Sequence, residues 1–324
     1  MRNELTPNMK NELTAKLDKY IEDCVLYYDL PGLAVGAGSF VHDYEYKGAT
    51  GYRNVEAKER LTTDAIFHMA SVSKVFTSTA IMMLVEQGKI KLDDKMIDIL
   101  PKPPIDDKRY KEVTVKHVLT HTSGIFESKF IHNPEDKRFL YSDLEFDTLG
   151  TAIGVVSGMP FNEYVNKNIL APLNMNDSEI AITLRPNLVP GYEKDEKNRM
   201  VLAEPFDYCL QFASSSTLTS HVSDMKKFAE EVLVNKTLIS PGTYEIAFTE
   251  HVPIPDIGQQ MCISWFKNQQ AGYDLYGHIG SDPGYRIGFW CCPELKVHFT
   301  VMSNITKTPI RRICEEIFDI LISY

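Results

Sequence analysis

The sequence predicts an α/β fold of the α+β kind, in which one antiparallel sheet is built from both ends of the chain and flanked by helices. Short runs rich in β-branched and aromatic residues occur near the N-terminus and again after Gly242. The segment between them has helical patterns and loops instead. We therefore expect a sheet region of approximately residues 12–100 plus 243–324, a mainly helical region of approximately residues 101–242, and a single unit over residues 1–324.

The N-terminal elements follow from periodicity. Apolar residues three and four positions apart predict an amphipathic helix over residues 13–28. Residues 32–40 and 44–51 are predicted as two strands of a hairpin that turns at His42-Asp43. Residues 67–88 are apolar nearly all round, which predicts a buried helix that ends at Gly88.

The remaining elements divide into helices and then strands. Helical patterns recur at residues 113–120, 147–156, 161–170 and 220–233. Strands are predicted at residues 261–266, 273–278, 285–292 and 297–303, and a helix at residues 309–322 closes the chain.

Composition excludes several classes of protein. The chain of 324 residues is 44% hydrophobic and has a net charge of −10, which argues against disorder and against a nucleic-acid or anionic-membrane partner. No apolar run approaches the roughly 18 residues that a membrane span needs. The polar N-terminus does not resemble a secretory signal, so a cytoplasmic location is expected. The six cysteines include no C-x-x-C spacing and are expected to be reduced and buried.

A serine and a lysine three positions apart are the first candidates for chemistry. The S-x-x-K spacing occurs at Ser71/Lys74, Ser223/Lys226 and Ser264/Lys267. Ser264 and Lys267 would point to opposite faces of a predicted strand, and Ser223 and Lys226 lie on a charged, solvated helix face. Only Ser71 and Lys74 share a face of a buried helix.

Burial and the positive end of that helix would lower the pKa of Lys74, so that it could act as a base for a nucleophilic Ser71. The alternative is a helix-capping serine beside a lysine whose ammonium reaches solvent. His117 and His121 have the i, i+4 spacing of zinc ligands, but no third ligand is placed by spacing, and buried structural histidines are the better interpretation. No metal or cofactor is predicted.

Five further blocks occur in a fixed order along the chain: VTVKHVLTHTSGI at 113–125, FLYSD at 139–143, LAPLNM at 170–175, SSTLTSHVSDMKKFA at 215–229 and GHIGSDPGY at 277–285. Together with SVSK at 71–74 they resemble the serine β-lactamase and penicillin-binding protein superfamily. The likeness is greatest to the branch of class C β-lactamases, D-alanyl-D-alanine carboxypeptidases, D-aminopeptidases and related esterases. It extends over residues 30–304 and implies the β-lactamase-like fold.

The resemblance implies a role for each matching residue. Ser71 would be the acylated nucleophile, Lys74 its hydrogen-bonded partner and base, and Tyr141 a second base or proton shuttle. A tyrosine with this role needs a cationic neighbour, here Lys74 or His278.

The strand that would border the site carries His278-Ile279-Gly280, in the place of the family's Lys-Thr-Gly or His-x-Gly. The backbone N–H groups of Ser71 and Ser281 would form the oxyanion hole. Asp143, Ile279 and Gly280 would contact the substrate.

Two departures from the family pattern bear on the substrate. Asp143 replaces an asparagine and adds a negative charge, and Ile279 replaces a residue that usually carries a hydroxyl. Both changes argue against recognition of a β-lactam or a D-Ala-D-Ala carboxylate, and favour a short ester without a carboxylate.

The sequence therefore predicts a serine hydrolase that acts through an acyl-enzyme on a small-molecule ester or on a peptide amide. A D-alanyl-D-alanine carboxypeptidase or a β-lactamase is the first alternative. A catalytically silent ligand-binding protein on the same fold is the second. The sequence makes no prediction of the oligomeric state.

Overall fold

The computed structural model describes residues 5–249 and 251–324. Within them the helices are α1 (Pro7–Tyr27), α2 (Ser73–Glu86), α3 (Met96–Ile99), α4 (Val115–Leu119), α5 (Asp143–Ser157), α6 (Phe161–Val165), α7 (Val222–Glu230), α8 (Pro241–Phe248) and α9 (Ile310–Ile322).

The strands of the first two thirds are β1 (Gly32–Ser39), β2 (Tyr44–Asn54), β3 (Glu59–Arg60), β4 (Phe67–His68), β5 (Ile125–Phe126), β6 (Lys129–Phe130), β7 (Glu179–Ile180), β8 (Tyr192–Lys194), β9 (Met200–Leu202) and β10 (Leu218–Ser220). Those of the last third are β11 (Val252–Ile254), β12 (Gln259–Met261), β13 (Phe266–Gln270), β14 (Tyr273–Asp282), β15 (Tyr285–Cys292) and β16 (Val297–Ser303).

The central sheet joins the two ends of the chain, as predicted. Among the described residues nine strands form it, in the order β11-β12-β13-β14-β15-β16-β1-β2-β3. Every pair is antiparallel, and β16 pairs with β1 so that Leu33 lies opposite Ser303. The predicted N-terminal hairpin is also confirmed, since Ser39 pairs with Tyr44.

The two faces of the sheet are covered by different elements because successive side chains of a strand point to opposite sides. In β16, Val297, Phe299 and Val301 belong to the apolar cluster that includes α1 and α9. Met302 lies on the other face, in the cluster that includes α2, α5 and α7. The space between this second face and the helical region contains the candidate site.

Several predicted boundaries are corrected by the structure. Residues 67–88 begin with β4 and a 3₁₀ turn at Ala70–Val72, and α2 starts only at Ser73. The helix predicted at residues 147–156 starts at Asp143, because the Ser142 hydroxyl accepts the Glu145 N–H and caps it. The predicted helix end at Gly88 is supported by its φ of +69°.

The strand predicted at residues 261–266 is wrong. It is interrupted between β12 and β13 by a turn in which Ser264 has a φ of +63°. The Ser264 N–H and hydroxyl both donate to the Leu119 carbonyl, so this turn ties the sheet to the helical region. Ser264 and Lys267 therefore do not lie on one strand, since only Lys267 belongs to β13.

The expectations for the cysteines and for membrane-spanning helices both concern features that the described residues show. All six cysteines are free thiols, and all except the half-buried Cys209 are buried. None of the helices in residues 5–249 and 251–324 has the length and apolar character of a bilayer span. The N-terminal segment that does not resemble a signal includes residues 1–4, which lie outside the described residues.

Candidate active site

Ser71 lies on a strained turn pressed against the sheet. The preceding residue, Ala70, has a φ of +48°, which is unfavourable for a residue with a Cβ. The turn touches β14 so closely that a Cβ on Gly280 would collide with the Met69 carbonyl oxygen. The glycine of the His-x-Gly block is therefore required by this close approach, which brings Ser71 to the edge of β14.

Lys74 is completely buried one turn into α2, and its ammonium is surrounded by oxygen atoms. Nζ donates to Ser71 Oγ at 3.2 Å and to the Ser215 carbonyl at 3.0 Å. It also forms an ion pair with Asp143 at 2.5 Å. Three hydrogen-bond acceptors match the three protons of an ammonium, so this geometry is suited to charged lysine.

Tyr141 completes the group at the residue before the cap of α5. Lys74 Nζ lies 5.0 Å from the centre of its ring, and the interactions of its phenol with Lys74 and Ser71 both lower its pKa. Ser71, Lys74, Tyr141 and Asp143 thus form one connected set of polar groups, although they are far apart in sequence.

The protonation state of Lys74 differs from the one expected from the sequence. Burial lowers the pKa of Lys74, but Tyr141 and Asp143 outweigh it and raise the pKa above its ordinary value. Burial also raises the pKa of Tyr141, against the opposing effect of Lys74. The expectation of a neutral lysine base is therefore wrong for the resting site, because the Asp143 carboxylate was not placed beside Lys74 in that argument.

His278 is buried and neutral. Burial, with Lys74 adding to the effect, lowers its pKa to about 3. Its Nδ1 lies 2.8 Å from the Ile279 carbonyl, so that nitrogen carries the proton and donates. His278 is therefore not the cationic neighbour of Tyr141, and Lys74 is.

A cavity of about 620 Å³ opens over these residues. Ser71, Tyr141, Asp143 and His278 line one end of it. The other end follows β14 past Ile279 and Ser281 to the beginning of α9. β13 pairs with β14 only as far as Gly277, so the segment that carries these residues forms an edge of the sheet along the cavity.

Two positioning elements were missed in the sequence argument. The His121 ring stacks on Tyr141 at 4.3 Å, and its Nδ1 accepts the Ser142 N–H at 3.2 Å. The His121 carbonyl accepts the Leu140 N–H, so His121 holds Tyr141 and both its neighbours. The block HTSG gave the signal, but only the fold shows what the histidine touches.

The second element is the serine-rich loop before β10. Its Ser214 and Ser215 are buried, and their carbonyls accept from Thr77 and Lys74 respectively. Asp147, one helical turn after Asp143, also faces this loop; burial raises its pKa to about 7. The loop thus supplies a backbone acceptor to the Lys74 ammonium.

The histidine pair considered for zinc has other partners. His117 Nδ1 accepts the Thr114 N–H and closes a capping box at α4, while His121 packs on Tyr141. Among the described residues, Asp177, His221 and Asp224 do lie together as potential metal ligands. Asp224 is bonded there by Ser178 and Lys227, so we interpret this cluster as a connection between α7 and the loop before β7.

Comparison with known proteins agrees with this fold. The Beta-lactamase family model matches residues 17–316, and the chain belongs to the Beta-lactamase family. Penicillin-binding protein 4* of Bacillus subtilis (strain 168) is 26% identical over 287 residues, which cover 75% of this chain and 61% of that protein. The putative penicillin-binding protein PbpX of the same organism is 28% identical, with 66% and 58% coverage. The chain thus spans about three fifths of these curated relatives.

Solved structures show the same architecture. The octameric penicillin-binding protein homologue from Pyrococcus abyssi has a TM-score of 0.87 and 27% identity, over 95% of this chain and 77% of that one. The D-amino acid amidase from Ochrobactrum anthropi SV3 has a TM-score of 0.81 and 16% identity, over 96% and 99%. The hydrolase EstCE1 has a TM-score of 0.81 and 18% identity, also over 96% and 99%. The last two show the fold alone. The predicted family and β-lactamase-like fold are confirmed.

Proposed function

We propose that the protein is a serine hydrolase that cleaves an ester or amide through an acyl-enzyme on Ser71. One observation carries the proposal. The buried Lys74 ammonium donates to Ser71 Oγ and pairs with the Asp143 carboxylate, and it lies 5.0 Å from the centre of the Tyr141 ring, at the wall of an open cavity. The alternative, a helix-capping serine beside a lysine whose ammonium reaches solvent, is not supported, because the Lys74 side chain is fully buried.

The reaction follows from the protonation states. The resting pair is an ammonium on Lys74 and a neutral phenol on Tyr141, and it becomes a base after losing one proton to solvent. Ser71 Oγ then attacks the acyl carbon and its proton passes to the Lys74–Tyr141 pair. The same proton goes to the leaving group as the carbon–leaving-group bond breaks. Water then attacks the acyl carbon and gives a proton to the pair, which returns it to Ser71 Oγ as the bond between the acyl carbon and Oγ breaks and the acid leaves.

The oxyanion is assigned to backbone N–H groups of Ser71 and Ser281. Ser71 lies in the first turn of a helix, where N–H groups have no intrahelical acceptor. Ser281 lies on the edge segment of β14 that lines the cavity. Two such donors stabilise the negative oxygen of a tetrahedral intermediate. Asp143, Ile279 and Gly280 are assigned to the substrate side of this site.

The test uses Ser71→Ala with Ser223→Ala as the matched control, because both serines begin an S-x-x-K sequence. Hydrolysis of 4-nitrophenyl acetate and labelling by a fluorophosphonate are measured for both variants, and circular dichroism verifies folding. We expect loss of both activities only in Ser71→Ala. Labelling at another residue, or a folded wild type that neither hydrolyses nor labels, contradicts the proposal; the second result favours a silent binding protein.

Nitrocefin and D-Ala-D-Ala peptides test the alternative activities. A carboxypeptidase or β-lactamase turns these over at rates that rival its best ester. An esterase that lacks the hydroxyl at Ile279 turns them over more slowly. The measurement is kcat/KM for each compound with one enzyme preparation.

A further inference from the structure

The two N–H groups assigned to the oxyanion are carried by segments of two different sheets. Ser71 comes three residues after His68 of β4, which belongs to the three-stranded sheet β4-β10-β7. Ser281 lies on β14 of the nine-stranded sheet. Two donors that bind one oxygen must keep a fixed spacing, because each has to lie about 2.7–3.1 Å from it. The oxyanion hole therefore depends on what holds these two segments together.

A buried histidine connects the two segments through its side chain. His68 is fully buried, and its Nε2 lies 2.7 Å from Oδ2 of Asp282, the residue after Ser281. Its Nδ1 lies 2.7 Å from the Tyr208 hydroxyl. The Phe206 ring packs on the imidazole, with the two ring centres 4.6 Å apart. The imidazole is thus held at both nitrogens and on one face.

The hydrogen-bond partners determine where the protons of this group lie. Burial raises the pKa of the Tyr208 phenol, so its hydroxyl stays protonated. Among the described residues, His68 Nδ1 is the acceptor within hydrogen-bond distance of that hydroxyl. Tyr208 therefore donates to Nδ1, and the imidazole proton lies on Nε2, which donates it to the Asp282 carboxylate. A hydrogen bond to a carboxylate is stronger than one between neutral groups.

We propose that the hydrogen bond from His68 to Asp282 fixes the spacing of the two oxyanion N–H groups, with His68 as a positioning residue. The inference rests on the proposed function, because it specifies how the oxyanion hole of that reaction keeps its shape. The close contact between Gly280 and the Met69 carbonyl limits how near the two segments approach. The hydrogen bond opposes their separation, so the two contacts together set one distance.

Loss of this hydrogen bond should affect the transition state. The carbonyl oxygen of a bound ester carries little negative charge, whereas the oxygen of the tetrahedral intermediate carries a full one. A displaced N–H therefore lowers kcat/KM, and a displacement of about 1 Å can cost about 10²-fold. The loss should be greater when the developing anion is on oxygen than when it is on sulfur, because sulfur gains less from the same donors.

The test compares 4-nitrophenyl acetate with its thionoester, O-(4-nitrophenyl) thioacetate. Sulfur is larger than oxygen and accepts hydrogen bonds more weakly, so an intact oxyanion hole favours the ester. His68→Phe keeps a buried ring without nitrogens, Asp282→Ala removes the acceptor, and Asp282→Asn keeps a neutral acceptor oxygen. Asp18→Ala is the matched control, because Asp18 accepts a hydrogen bond from the buried Tyr46 hydroxyl at 2.9 Å, on the face that packs against α1.

We expect His68→Phe and Asp282→Ala to lower kcat/KM for the ester by about 10- to 100-fold, and to lower the ratio of ester to thionoester kcat/KM by at least about fivefold. Asp282→Asn should recover most of the loss, and Asp18→Ala should leave the ratio unchanged. Circular dichroism verifies folding, and Asp282→Ala alone decides if His68→Phe does not fold. Equal losses for the two compounds, or an equal fall of the ratio in Asp18→Ala, would overturn the proposal.

The protons of the imidazole give a readout that does not depend on turnover. In protein labelled with ¹⁵N at histidine, the ring resonances of His68 are those missing from His68→Phe. They should show a proton on Nε2 and a hydrogen-bonded Nδ1. Tyr208→Phe should shift the Nδ1 resonance, and Asp282→Ala the Nε2 resonance. A proton on Nδ1 alone in the wild type, or no shift in either variant, would contradict the hydrogen bonds on which the proposal depends.

Failure of the proposed function gives a different result. A wild type that neither hydrolyses the ester nor is labelled by a fluorophosphonate has no oxyanion hole to position, so both proposals fall together. An active and labelled wild type whose ratio of ester to thionoester kcat/KM is unchanged in folded Asp282→Ala overturns the positioning role alone and leaves the proposed function intact.

Discussion

The two faces of the central sheet are packed by different chemistry. Between the sheet, α1 and α9, the buried side chains are mainly apolar, with Leu13, Leu17, Ile313, Ile317 and Phe318 at the contact. Between the sheet and the helical region, the buried side chains include Lys74, His121, His278 and His298. Both interfaces are buried, but the buried lysine and these three buried histidines lie at the second.

This difference shows how one sheet can combine stability with reactivity. Apolar burial on the α1–α9 face contributes roughly in proportion to area and needs no particular geometry. On the other face, a buried charge is tolerated only with bonded partners. Lys74 has three acceptors, and the residues that supply them come from three separate segments. The chemistry therefore depends on the fold more closely than the stability does.

The largest expected effect is the loss of the Lys74–Tyr141 pair. Lys74→Ala and Tyr141→Phe should each lower kcat/KM for 4-nitrophenyl acetate by the ~10²–10⁴ typical of general acid–base catalysis. Because the two groups share one proton, the double variant should lose little more than the worse single variant.

A double-mutant cycle checks this coupling, with Ser223→Ala as the control for the substitution procedure. Losses that add fully on the logarithmic scale would mean that Lys74 and Tyr141 act independently. Unfolding of Lys74→Ala is detected by circular dichroism, and Lys74→Met then replaces it in the cycle.

A substitution on the α1–α9 face should lower stability and leave activity nearly unchanged. Phe318 is fully buried against the sheet, with its ring 6.1 Å from that of Phe299. Phe318→Ala should lower the free energy of unfolding by about 3–5 kcal/mol through lost burial and the cavity left behind. The folded fraction should keep kcat/KM within about twofold. Urea titration followed by tryptophan fluorescence measures the first quantity, and a change of kcat/KM by more than tenfold would link the two faces.

The sequence alone predicted the features of the fold that depend on short-range patterns. The hairpin of β1 and β2, the apolar α2 and the sheet built from both ends all follow from the spacing of apolar residues. Ser71, Lys74 and Tyr141 came from ordered motifs, and the structure brings all three together. Their catalytic roles remain predictions.

The features that the sequence alone did not predict depend on contacts between residues far apart in the chain. Tyr141 and Asp143, the latter 69 positions away, raise the pKa of Lys74. The third acceptor of its ammonium is the Ser215 backbone carbonyl, for which side-chain identity carries no signal. The break after Met261 was missed because Ser264 adopts a positive φ without a glycine.

Asp143 offers a smaller, pH-dependent effect. Because the carboxylate raises the pKa of Lys74, Asp143→Asn should let the ammonium lose its proton at lower pH. The acidic limb of the kcat/KM profile should therefore move to lower pH, by about one unit or more on the scale that a paired charge produces. Burial raises the pKa of Asp147 to about 7, and this residue is present in both wild type and Asp143→Asn. The pH profile of Asp147→Asn therefore shows how much of the acidic limb is due to titration of Asp147. A shift of the limb to higher pH in Asp143→Asn would contradict the assignment.

The last expected effect concerns stability in acid on the face of the sheet that packs against the helical region. His298 on β16 is buried and stacked on Phe40, and burial lowers its pKa from the usual 6.5 to about 3. Between these two pH values the unfolded chain binds a proton that the folded chain does not, so the free energy of unfolding falls as pH falls from 6.5 toward 3. His298→Gln removes that proton and should reduce the slope of unfolding free energy against pH by up to about 1.4 kcal/mol per pH unit. Phe318→Leu, on the α1–α9 face, should lower the whole curve and leave its slope unchanged. Urea titrations at intervals from pH 4 to pH 7 measure both slopes, and equal slopes in wild type and His298→Gln would show that His298 does not contribute to acid unfolding.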